Sequence, residues 1–435
     1  MAISKLPSYQ LALSAGSVEE MRQKINKLHH FLLNNPFVSI EDIIFSVNLL
    51  HKKQEYRATF YAKNHFELLA ALQDYHIEHV PPLKLQEPKI AFIFTGQGVQ
   101  HPGMMKQLYQ TEATFKSTID HCSEILQPWL SASLPQLLFN LSAKELCEAR
   151  YAHPALFSVE LALALTLRHY GVHPHAIIGH SSGEYVAAVL ADSIVLSDAL
   201  RIIHLRSELL QHLSVSGGML ALKQSEKVTK KLLLAYCKLY PDAIIDIALV
   251  NSASQTVIAG SLAELRRFSR WLHKKNVANI FLSVSHAFHS SLMEPILDEF
   301  EKLVVHIKHY DPQILMINNL TGKPFSTQQL NGHYWCRQLR ETVRFYDGLK
   351  WLSAHNIDIF LEVGPHPALI STARSSFHSH KAHWLATLRH DHKEWENLLT
   401  SLTELYLAGV DVNWPVFARA NGNTRHLIPF QLASY

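Results

Sequence analysis

The order of apolar and polar positions divides the chain into segments of different type. In the first segment, one helical face carries four apolar residues, and a capping box of Ser17 and Glu20 begins that helix. The four residues are Met21, Ile25, Leu28 and Leu32. Helical patterns also cover residues 40–50 and 66–72, and residues 56–62 alternate like a strand. We therefore expect a small N-terminal α/β unit, which a proline-containing linker follows.

Two buried-strand patterns each end in a turn that contains glycine. The run KIAFIF leads into Gly96-Gln97-Gly98, and the run from His175 to Ile178 leads into Gly179-His180-Ser181-Ser182-Gly183. The helical sequence EYVAAVLA follows the second turn. A strand, a sharp turn with a central serine and a helix are the parts of a nucleophile elbow. The spacing therefore predicts that the Ser181 hydroxyl projects from a strand-to-helix turn.

A different pattern occupies residues 217–285. Its order is strand, helix, strand, strand, helix, strand, which is the order of a ferredoxin-like unit. Motifs with candidate chemistry resume directly afterwards at SHAFHSSLMEP, so this unit is an insertion in a larger domain. The larger domain continues through IDIFLEVGPHPAL to a helix over residues 395–407. The residues from Val412 onward show no clear period.

The fold class predicted by these patterns is α/β, with four parts. A small N-terminal α/β domain covers residues 1–87, and an α/β-hydrolase-like large subdomain covers residues 88–216 and 286–408. The inserted ferredoxin-like small subdomain covers residues 217–285, and a terminal segment covers residues 409–435.

Composition narrows the class of protein. The 435 residues are 48% hydrophobic, and 40 Lys and Arg nearly balance 37 Asp and Glu, which excludes a disordered chain and argues against a nucleic-acid surface. The longest apolar stretch, from Leu156 to Leu167, contains Glu160 and is too short to cross a bilayer. The four scattered cysteines fit a reducing compartment, so we expect a cytoplasmic protein without membrane contact.

The histidines at 378, 380 and 383 match no zinc pattern, and we expect no metal site.

Ser181 is the candidate nucleophile. A G-x-S-x-G turn can arise by chance, but the flanking strand and helix favour an elbow. A serine hydroxyl needs a base that is distant in sequence and close in space. His286 and His289 lie in SHAFHS, where the chain returns from the insertion, and the residues alone leave the choice between them open.

Acyl chemistry at a serine also needs donors for a tetrahedral oxyanion. The backbone N–H of Ser182, one residue past the nucleophile, is the first candidate. The turn at Gln97 is the second, because its flanking glycines let the backbone approach closely. The alternative for Gln97 is an ordinary turn at a strand end. A phosphate loop has less support, because GQGVQ lacks a third glycine and a following Lys-Ser/Thr.

Arg206 lies on the wrong side of its predicted helix for a charged residue. At 3.6 residues per turn, residues 197–213 form one apolar arc, and Arg206 falls inside it. A guanidinium on a buried face must find an anion, because an unpaired buried charge is costly. That anion is either an internal carboxylate or the carboxylate of a substrate, and the sequence pattern does not distinguish them.

Together these motifs resemble the acyltransferase domain of modular polyketide synthases and, more distantly, the malonyl-CoA:acyl-carrier-protein transacylases of fatty acid synthesis. The matching segments occur in the order and approximate spacing of the family and cover most of residues 89–407. They are FTGQGVQHPGMM, GHSSGEYVAA, ALRIIHLRSELLQ, VNSASQTVIAG, SHAFHSSLMEP, YWCRQLRETVRF and EVGPHPAL. The N-terminal LALSA and the ending LIPFQLASY resemble the linkers before and after that domain.

The resemblance implies a role for each candidate residue. Ser181 is the nucleophile, His289 is its base, Gln97 and Ser182 form the oxyanion hole, and Arg206 binds the malonyl carboxylate. His180, Asn251, His286 and Phe288 are assigned to the substrate site. The histidine of this family is usually held by a backbone carbonyl, which we expect in the EVGPH segment around His366.

The implied reaction moves malonyl from CoA to the serine and then to the phosphopantetheine thiol of an acyl carrier protein. No bound cofactor is expected, and the expected partners are malonyl-CoA, the carrier protein and a ketosynthase or other synthase domains. HAFH is the malonyl-type signature, whereas Ser182 departs from the aliphatic residue of many bacterial members and weakens a substrate assignment made from that position. Two alternatives are an acyl hydrolase that clears stalled acyl groups and a catalytically silent docking module.

Overall fold

The N-terminal unit contains two strands and three helices. They are β1 (Tyr9–Ala15), α1 (Val18–Asn34), α2 (Ile40–Leu49), β2 (Tyr56–Ala62) and α3 (His65–Gln73). The two strands pair antiparallel over their whole length. Ser17 accepts a hydrogen bond from the N–H of Glu20 at 3.1 Å, as the capping box predicts. The apolar pattern did not indicate β1, because all seven of its residues are buried and none alternates with an exposed position.

The structure is a computed structural model that describes residues 6–75, 82–83, 87–213, 216–284, 286–326, 329–377, 382–390, 393–420 and 426–428. Its centre is a five-stranded parallel sheet. The strands are β3 (Ile90–Phe94), β4 (Ala176–Gly179), β9 (Leu315–Ile317), β10 (Ile359–Val363) and β11 (His383–Ala386). Their order is β11-β10-β3-β4-β9. Parallel strands end at one edge of a sheet, so the turns after β3, β4 and β10 lie side by side there.

Thirteen described helices belong to the same part of the chain as this sheet or follow it. They are α4 (Lys106–Thr111), α5 (Ala113–Leu126), α6 (Leu134–Asn140), α7 (Ala143–Leu146), α8 (Ala149–His169), α9 (Gly183–Leu190), α10 (Leu196–Gln211), α13 (Glu294–Val304), α14 (Gly332–Arg340), α15 (Phe345–Ala354), α16 (Leu369–Ala373), α17 (Glu394–Leu407) and α18 (Trp414–Ala420). Helix α8 is buried along nearly its whole length, which explains the apolar run that the sequence shows there.

The inserted unit is a four-stranded antiparallel sheet with two helices. Its elements are β5 (Gly217–Leu222), α11 (Glu226–Leu239), β6 (Ile245–Ser252), β7 (Gln255–Ser261), α12 (Leu262–His273) and β8 (Asn279–Phe281). The strand order β6-β7-β5-β8 is that of a ferredoxin-like unit, which confirms the predicted fold class. The unit has a separate apolar core, to which Tyr236, Ile258 and Phe268 contribute.

The C-terminal helices pack against the N-terminal unit. The indole of Trp395 donates to the carbonyl of Ser8 at 3.1 Å, and the Tyr406 hydroxyl donates to the carbonyl of Leu13 at 2.9 Å. Buried Arg57 donates to the carbonyls of Tyr406 and Val410 at 3.0 and 2.6 Å. The expectation of an aperiodic segment from residue 412 onward is wrong for its first part, because α18 is a helix whose seven residues are too few to display a period.

The predicted domain boundaries after residues 87, 216, 285 and 408 fall between these elements and stay predictions. Within the part of the chain that the structure describes, no helix is both long enough and apolar enough to span a bilayer.

Replacing Gly183 with alanine should destabilise the fold. The new Cβ would lie 2.5 Å from the carbonyl oxygen of Thr95 and 2.6 Å from that of Phe94, and backbone atoms of a central strand cannot move aside cheaply. We expect a loss of about 1–3 kcal/mol, measured by thermal denaturation. Gly16→Ala is the matched control, because its nearest side-chain atom is 3.4 Å away. Equal melting temperatures for the two variants would contradict the tight contact at the elbow.

Candidate active site

Ser181 occupies the sharp turn between β4 and α9. Its φ of 54° lies in the left-handed region, which a residue with a side chain adopts only where the surroundings impose it. The side chain of Ser181 is partly exposed, and α9 begins two residues later. The predicted elbow geometry is therefore present, with the hydroxyl at the carboxyl edge of the parallel sheet and at the N-terminal end of a helix.

Two side chains from other elements hold the backbone of this turn. The Oδ1 atom of Asn319 accepts the Ser181 N–H at 2.9 Å, and its Nδ2 atom donates to the Gly179 carbonyl at 2.8 Å. The Nε2 atom of Gln338 donates to the Ser181 carbonyl at 2.7 Å. The sequence analysis missed both residues. Asn319 could have been found as one of two adjacent asparagines that directly follow the apolar run ILMI.

His289 is the histidine that contacts the serine. Its Nε2 atom lies 2.7 Å from the Ser181 Oγ atom, whereas His286 makes its ring contact with Phe288, at 5.7 Å between centroids. Burial lowers the pKa of His289 to about 3, and the positive charge of Arg206 acts in the same direction. The ring is therefore neutral over the physiological range and able to accept a proton from the hydroxyl.

The backbone groups that support the His289 ring come from a different segment than expected. Its Nδ1 atom makes no aligned hydrogen bond, but the backbone groups of Gln338 and Glu341 are close enough to favour the protonated ring. The expectation that the EVGPH segment around His366 supplies this support is wrong. His366 is exposed, and its Nδ1 atom accepts the N–H of His390 at 3.3 Å. The supporting backbone lies at the C-terminal end of α14, inside the segment YWCRQLRETVRF, to which the sequence analysis assigned no role.

The predicted oxyanion donors adjoin the elbow. Among the described residues, neither the N–H of Gln97 nor that of Ser182 has a hydrogen-bond acceptor. A Cβ atom on Gly96 would lie 3.5 Å from the Cβ atom of Ser181, so the turn after β3 touches the elbow. The Gln97 side chain anchors that turn, because its Nε2 atom donates to the Cys147 carbonyl at 2.7 Å. Both N–H groups are thus free for a ligand.

Arg206 is buried without an anion. Its side chain is 1% exposed, and its Nε and Nη1 atoms make no hydrogen bond. Arg206 takes part in none of the ion pairs formed by the described residues, so the alternative of an internal ion pair is not found there. The guanidinium lies between the rings of Tyr185 and Phe288, with centroids at 5.9 and 5.6 Å. A buried cation of this kind fits an anionic ligand.

His153 is a site residue that the sequence analysis missed. Its Nε2 atom lies 3.2 Å from the Gln97 Oε1 atom, and its Nδ1 atom lies 3.3 Å from the Ser207 Oγ atom. Burial and the charge of Arg206 hold its pKa well below the ordinary value, so the ring is neutral. It links the turn after β3 to the helix of Arg206. Its sequence context, inside a long apolar helix, gives no sign of this contact.

His180 and Asn251 join the two sheets. The His180 Nε2 atom lies 2.9 Å from the Asn251 Oδ1 atom, and the His180 ring packs edge-on against Phe345 at 5.2 Å. Asn251 lies near the end of β6 in the inserted unit. Neither side chain is hydrogen-bonded to the Ser181 hydroxyl. The two residues therefore position the inserted unit over the elbow.

Glu184 provides a buried carboxyl group beneath the elbow. Its Oε1 atom accepts the Tyr334 hydroxyl at 2.6 Å and the Asn319 N–H at 2.8 Å. Burial raises the pKa of Glu184 to about 8, so the group is mainly protonated at neutral pH. Glu184 thus supports the same asparagine that holds Ser181, a role that the sequence analysis did not assign.

Within the described residues, no group of three or more His, Cys, Asp or Glu side chains is placed to hold a metal ion. The histidines at 378 and 380, which the sequence analysis rejected as metal ligands, lie outside the described residues.

Comparison with known proteins gives consistent matches. The family model described as acyl transferase domain matches residues 91–412. Polyketide synthase GfsA of Streptomyces halstedii is 29% identical over 96% of this chain. The phenolphthiocerol synthesis polyketide synthase Pks15/1 of Mycobacterium marinum is 32% identical over 78% of it. The chain spans only 6% and 16% of the lengths of these two proteins.

Two solved acyltransferase domains cover nearly the whole chain, and FabD covers a smaller part of it. The acyl transferase domain of ZmaA is 28% identical, with a TM-score of 0.88 over 99% of this chain and 100% of that domain. The acyltransferase domain of module 8 of the salinomycin polyketide synthase is 26% identical, with a TM-score of 0.83 over 95% and 98%. FabD from Acinetobacter baumannii is 25% identical, with a TM-score of 0.66 over 74% of this chain. The chain therefore belongs to the acyl transferase domain family, in the form found in polyketide synthases.

Proposed function

We propose that this acyltransferase moves a malonyl group from malonyl-CoA, through an ester on Ser181, to the phosphopantetheine thiol of an acyl carrier protein. The observation that carries the proposal is Arg206, a buried guanidinium without an anion that is close enough to lower the pKa of His289. The thioester of a dicarboxylic acid presents a carbonyl carbon to the serine and a free carboxylate to the guanidinium. Only an acyl chain with a distal carboxylate would satisfy both groups.

In the first half-reaction, the neutral His289 ring takes the proton of Ser181 as the Oγ atom attacks the thioester carbonyl carbon. The N–H groups of Gln97 and Ser182 stabilise the oxyanion that forms, each by about 3 kcal/mol. Collapse of the tetrahedral intermediate breaks the carbon–sulfur bond, and the imidazolium protonates the departing CoA sulfur. The second half-reaction runs the same steps with the carrier thiol: His289 takes the thiol proton, the sulfur attacks the ester, and Ser181 regains its proton.

We assign Phe288 and His286 to the wall beside the α-carbon of the acyl group, so that malonyl is preferred over methylmalonyl. Phe288 is 5% exposed and contacts the Arg206 guanidinium, which supports this position. The similar acyltransferase domain of SpnD was solved in complex with 2-(pent-4-yn-1-yl)malonyl, at 28% identity and a TM-score of 0.83. A malonyl-derived group is therefore compatible with the fold, and the preference among α-substituents depends on residues of this chain.

The hydrolase and the silent docking module remain the competing functions. An acyl hydrolase has no use for a buried guanidinium, and a silent module has no use for a hydroxyl 2.7 Å from a neutral imidazole.

The proposed reaction needs no bound cofactor, because the CoA and carrier thioesters are themselves the activated species. We place it in the cytoplasm, since the four cysteines are free thiols. Ketosynthase or other synthase domains are the further partners.

Mixing the protein with malonyl-CoA should give a malonyl ester on Ser181 that intact-mass spectrometry detects. Ser181→Ala should abolish the adduct while leaving the fold intact, and His289→Ala should slow its formation by a factor on the order of 10² to 10⁴. His286→Ala removes a histidine that we place beside the acyl group and not at the serine hydroxyl, so it should slow loading far less than His289→Ala. Free malonate without an adduct would identify a hydrolase, and neither product would identify a silent module.

Loading should be independent of pH between about 5 and 8, because a base with a pKa of about 3 stays neutral throughout this range. An unperturbed histidine would lose activity as the pH falls through about 6.5. The pre-steady-state rate of serine acylation, measured at several pH values, distinguishes the two. An acid limb near pH 6.5 would show that burial does not lower the pKa of His289.

Arg206→Ala should depress malonyl loading by a factor on the order of 10² and acetyl loading much less, because acetyl has no distal carboxylate. The comparison uses kcat/KM for the two CoA esters. Arg201→Ala, an exposed arginine on the same helix, is the control and should leave both values unchanged. Equal losses with both esters would assign Arg206 a structural role instead.

A further inference from the structure

The formal charge of the chain is unevenly distributed. Residues 217–284, the inserted unit, contain ten Lys and Arg against four Asp and Glu. Their net charge is +6, whereas the whole chain carries only +3, so the remainder is negative. Near-balance of the total composition hides this separation. A field of this kind attracts anionic partners over distances beyond direct contact.

The register of the small sheet shows which of its ends faces the elbow. Leu222, the last residue of β5, pairs with Thr256 at the start of β7 and with Asn279 at the start of β8. The turn between β6 and β7 also lies at this end, and Asn251, near the end of β6, contacts His180 beside Ser181. Because α11 follows β5 and α12 precedes β8, α11 begins and α12 ends at the end that faces the elbow.

Five exposed lysines gather at that end, and we call them the basic rim. They are Lys223, Lys227, Lys231, Lys274 and Lys275. The backbone N–H of Lys223 donates to the Ala278 carbonyl at 3.3 Å, which brings the start of α11 and the end of α12 together. Lys227 and Lys231 are one helical turn apart and share a face. The rim therefore crosses from one helix to the other.

The rim lysines have no carboxylate partner among the described residues. The acidic residue nearest in sequence, Glu226, is already engaged by Arg344 at 2.7 Å and by Lys230 at 2.8 Å. Lys275 lies over the Trp271 ring at 4.8 Å, so its charge stays available at the surface. Five uncompensated charges on one edge repel one another unless an anionic partner covers them.

We propose that the basic rim docks an acidic surface of the acyl carrier protein and thereby aims its phosphopantetheine arm at Ser181. The inference rests on the proposed function, because it names the second substrate of that reaction. A CoA phosphate fits less well. The bidentate forks that favour phosphate come from arginine, whereas the rim consists of separate lysines spread over two helix ends. Such lysines provide steering and orientation for a large, anionic surface.

The test compares two double charge reversals with equal change in net charge. The rim variant is Lys227→Glu with Lys274→Glu, and the control variant is Lys238→Glu with Arg266→Glu, at the opposite end of the same two helices. All four residues are exposed and form no ion pair with described residues. The probe is the purified holo-acyl carrier protein of a bacterial fatty acid synthase. Its binding to Ser181→Ala protein, measured calorimetrically, requires no acyl transfer.

The rim variant should bind the carrier about ten-fold more weakly at low salt and lose most of the salt dependence, while the control variant stays within about two-fold. Loading of Ser181 by malonyl-CoA should be unchanged in both. Equal weakening in the two variants, or no weakening in the rim variant, would overturn the proposal. So would slower malonyl loading with unchanged carrier binding, which would make the rim a CoA-phosphate site. Carrier binding through the rim without malonyl loading would refute the proposed function and keep the docking surface.

Discussion

The strained backbone at Ser181 is the constraint on which the rest of the site depends. A left-handed serine is unfavourable by about 1–3 kcal/mol and persists only where its neighbours fix it. Asn319 and Gln338 hold its N–H and its carbonyl: Asn319 lies two residues after β9, and Gln338 lies in α14. The reactive geometry is therefore a property of the assembled sheet, because no part of the turn sequence supplies these two hydrogen bonds.

Burial then sets the ionisation of the groups around the serine. The His289 and His153 rings are kept neutral by burial and by the charge of Arg206, and the Glu184 carboxyl is kept neutral by burial. The buried guanidinium of Arg206 thus has neutral neighbours, which leaves its charge for a ligand. Glu184 also links stability to pH. Its folded pKa of about 8 exceeds the ordinary 4.5, so the folded protein keeps this proton at pH values where the unfolded chain has lost it. The contribution of Glu184 to stability therefore falls as the pH rises from about 4.5 to 8.

Short sequence patterns predicted those features of the fold and the site that depend on neighbouring residues only. The elbow, the two glycine turns and the six elements of the insertion each follow from short runs of sequence, and Arg206 was found because a charge breaks an apolar arc. Gln338 and His153 could not be found in this way, because their roles depend on which elements meet in space. The support of His289 was assigned to the wrong segment for the same reason. Asn319 had a local sign, its place directly after the apolar run ILMI, but no sign of what it holds. The basic rim was missed because the charges of the insertion cancel in the total, and only the register of β5, β7 and β8 shows which of them share an end.

The contact between the two ends of the chain has a consequence for synthesis on the ribosome. Arg57 is 4% exposed, and its two carbonyl partners follow 349 and 353 residues later. Trp395 reaches back 387 residues to Ser8 in the same way. Because translation proceeds from the N-terminus, the first 75 residues leave the ribosome long before the helices that complete their core. Until those helices have been made, the Arg57 guanidinium and an apolar face of this unit stay uncovered, so the unit reaches its final packing later than its own synthesis.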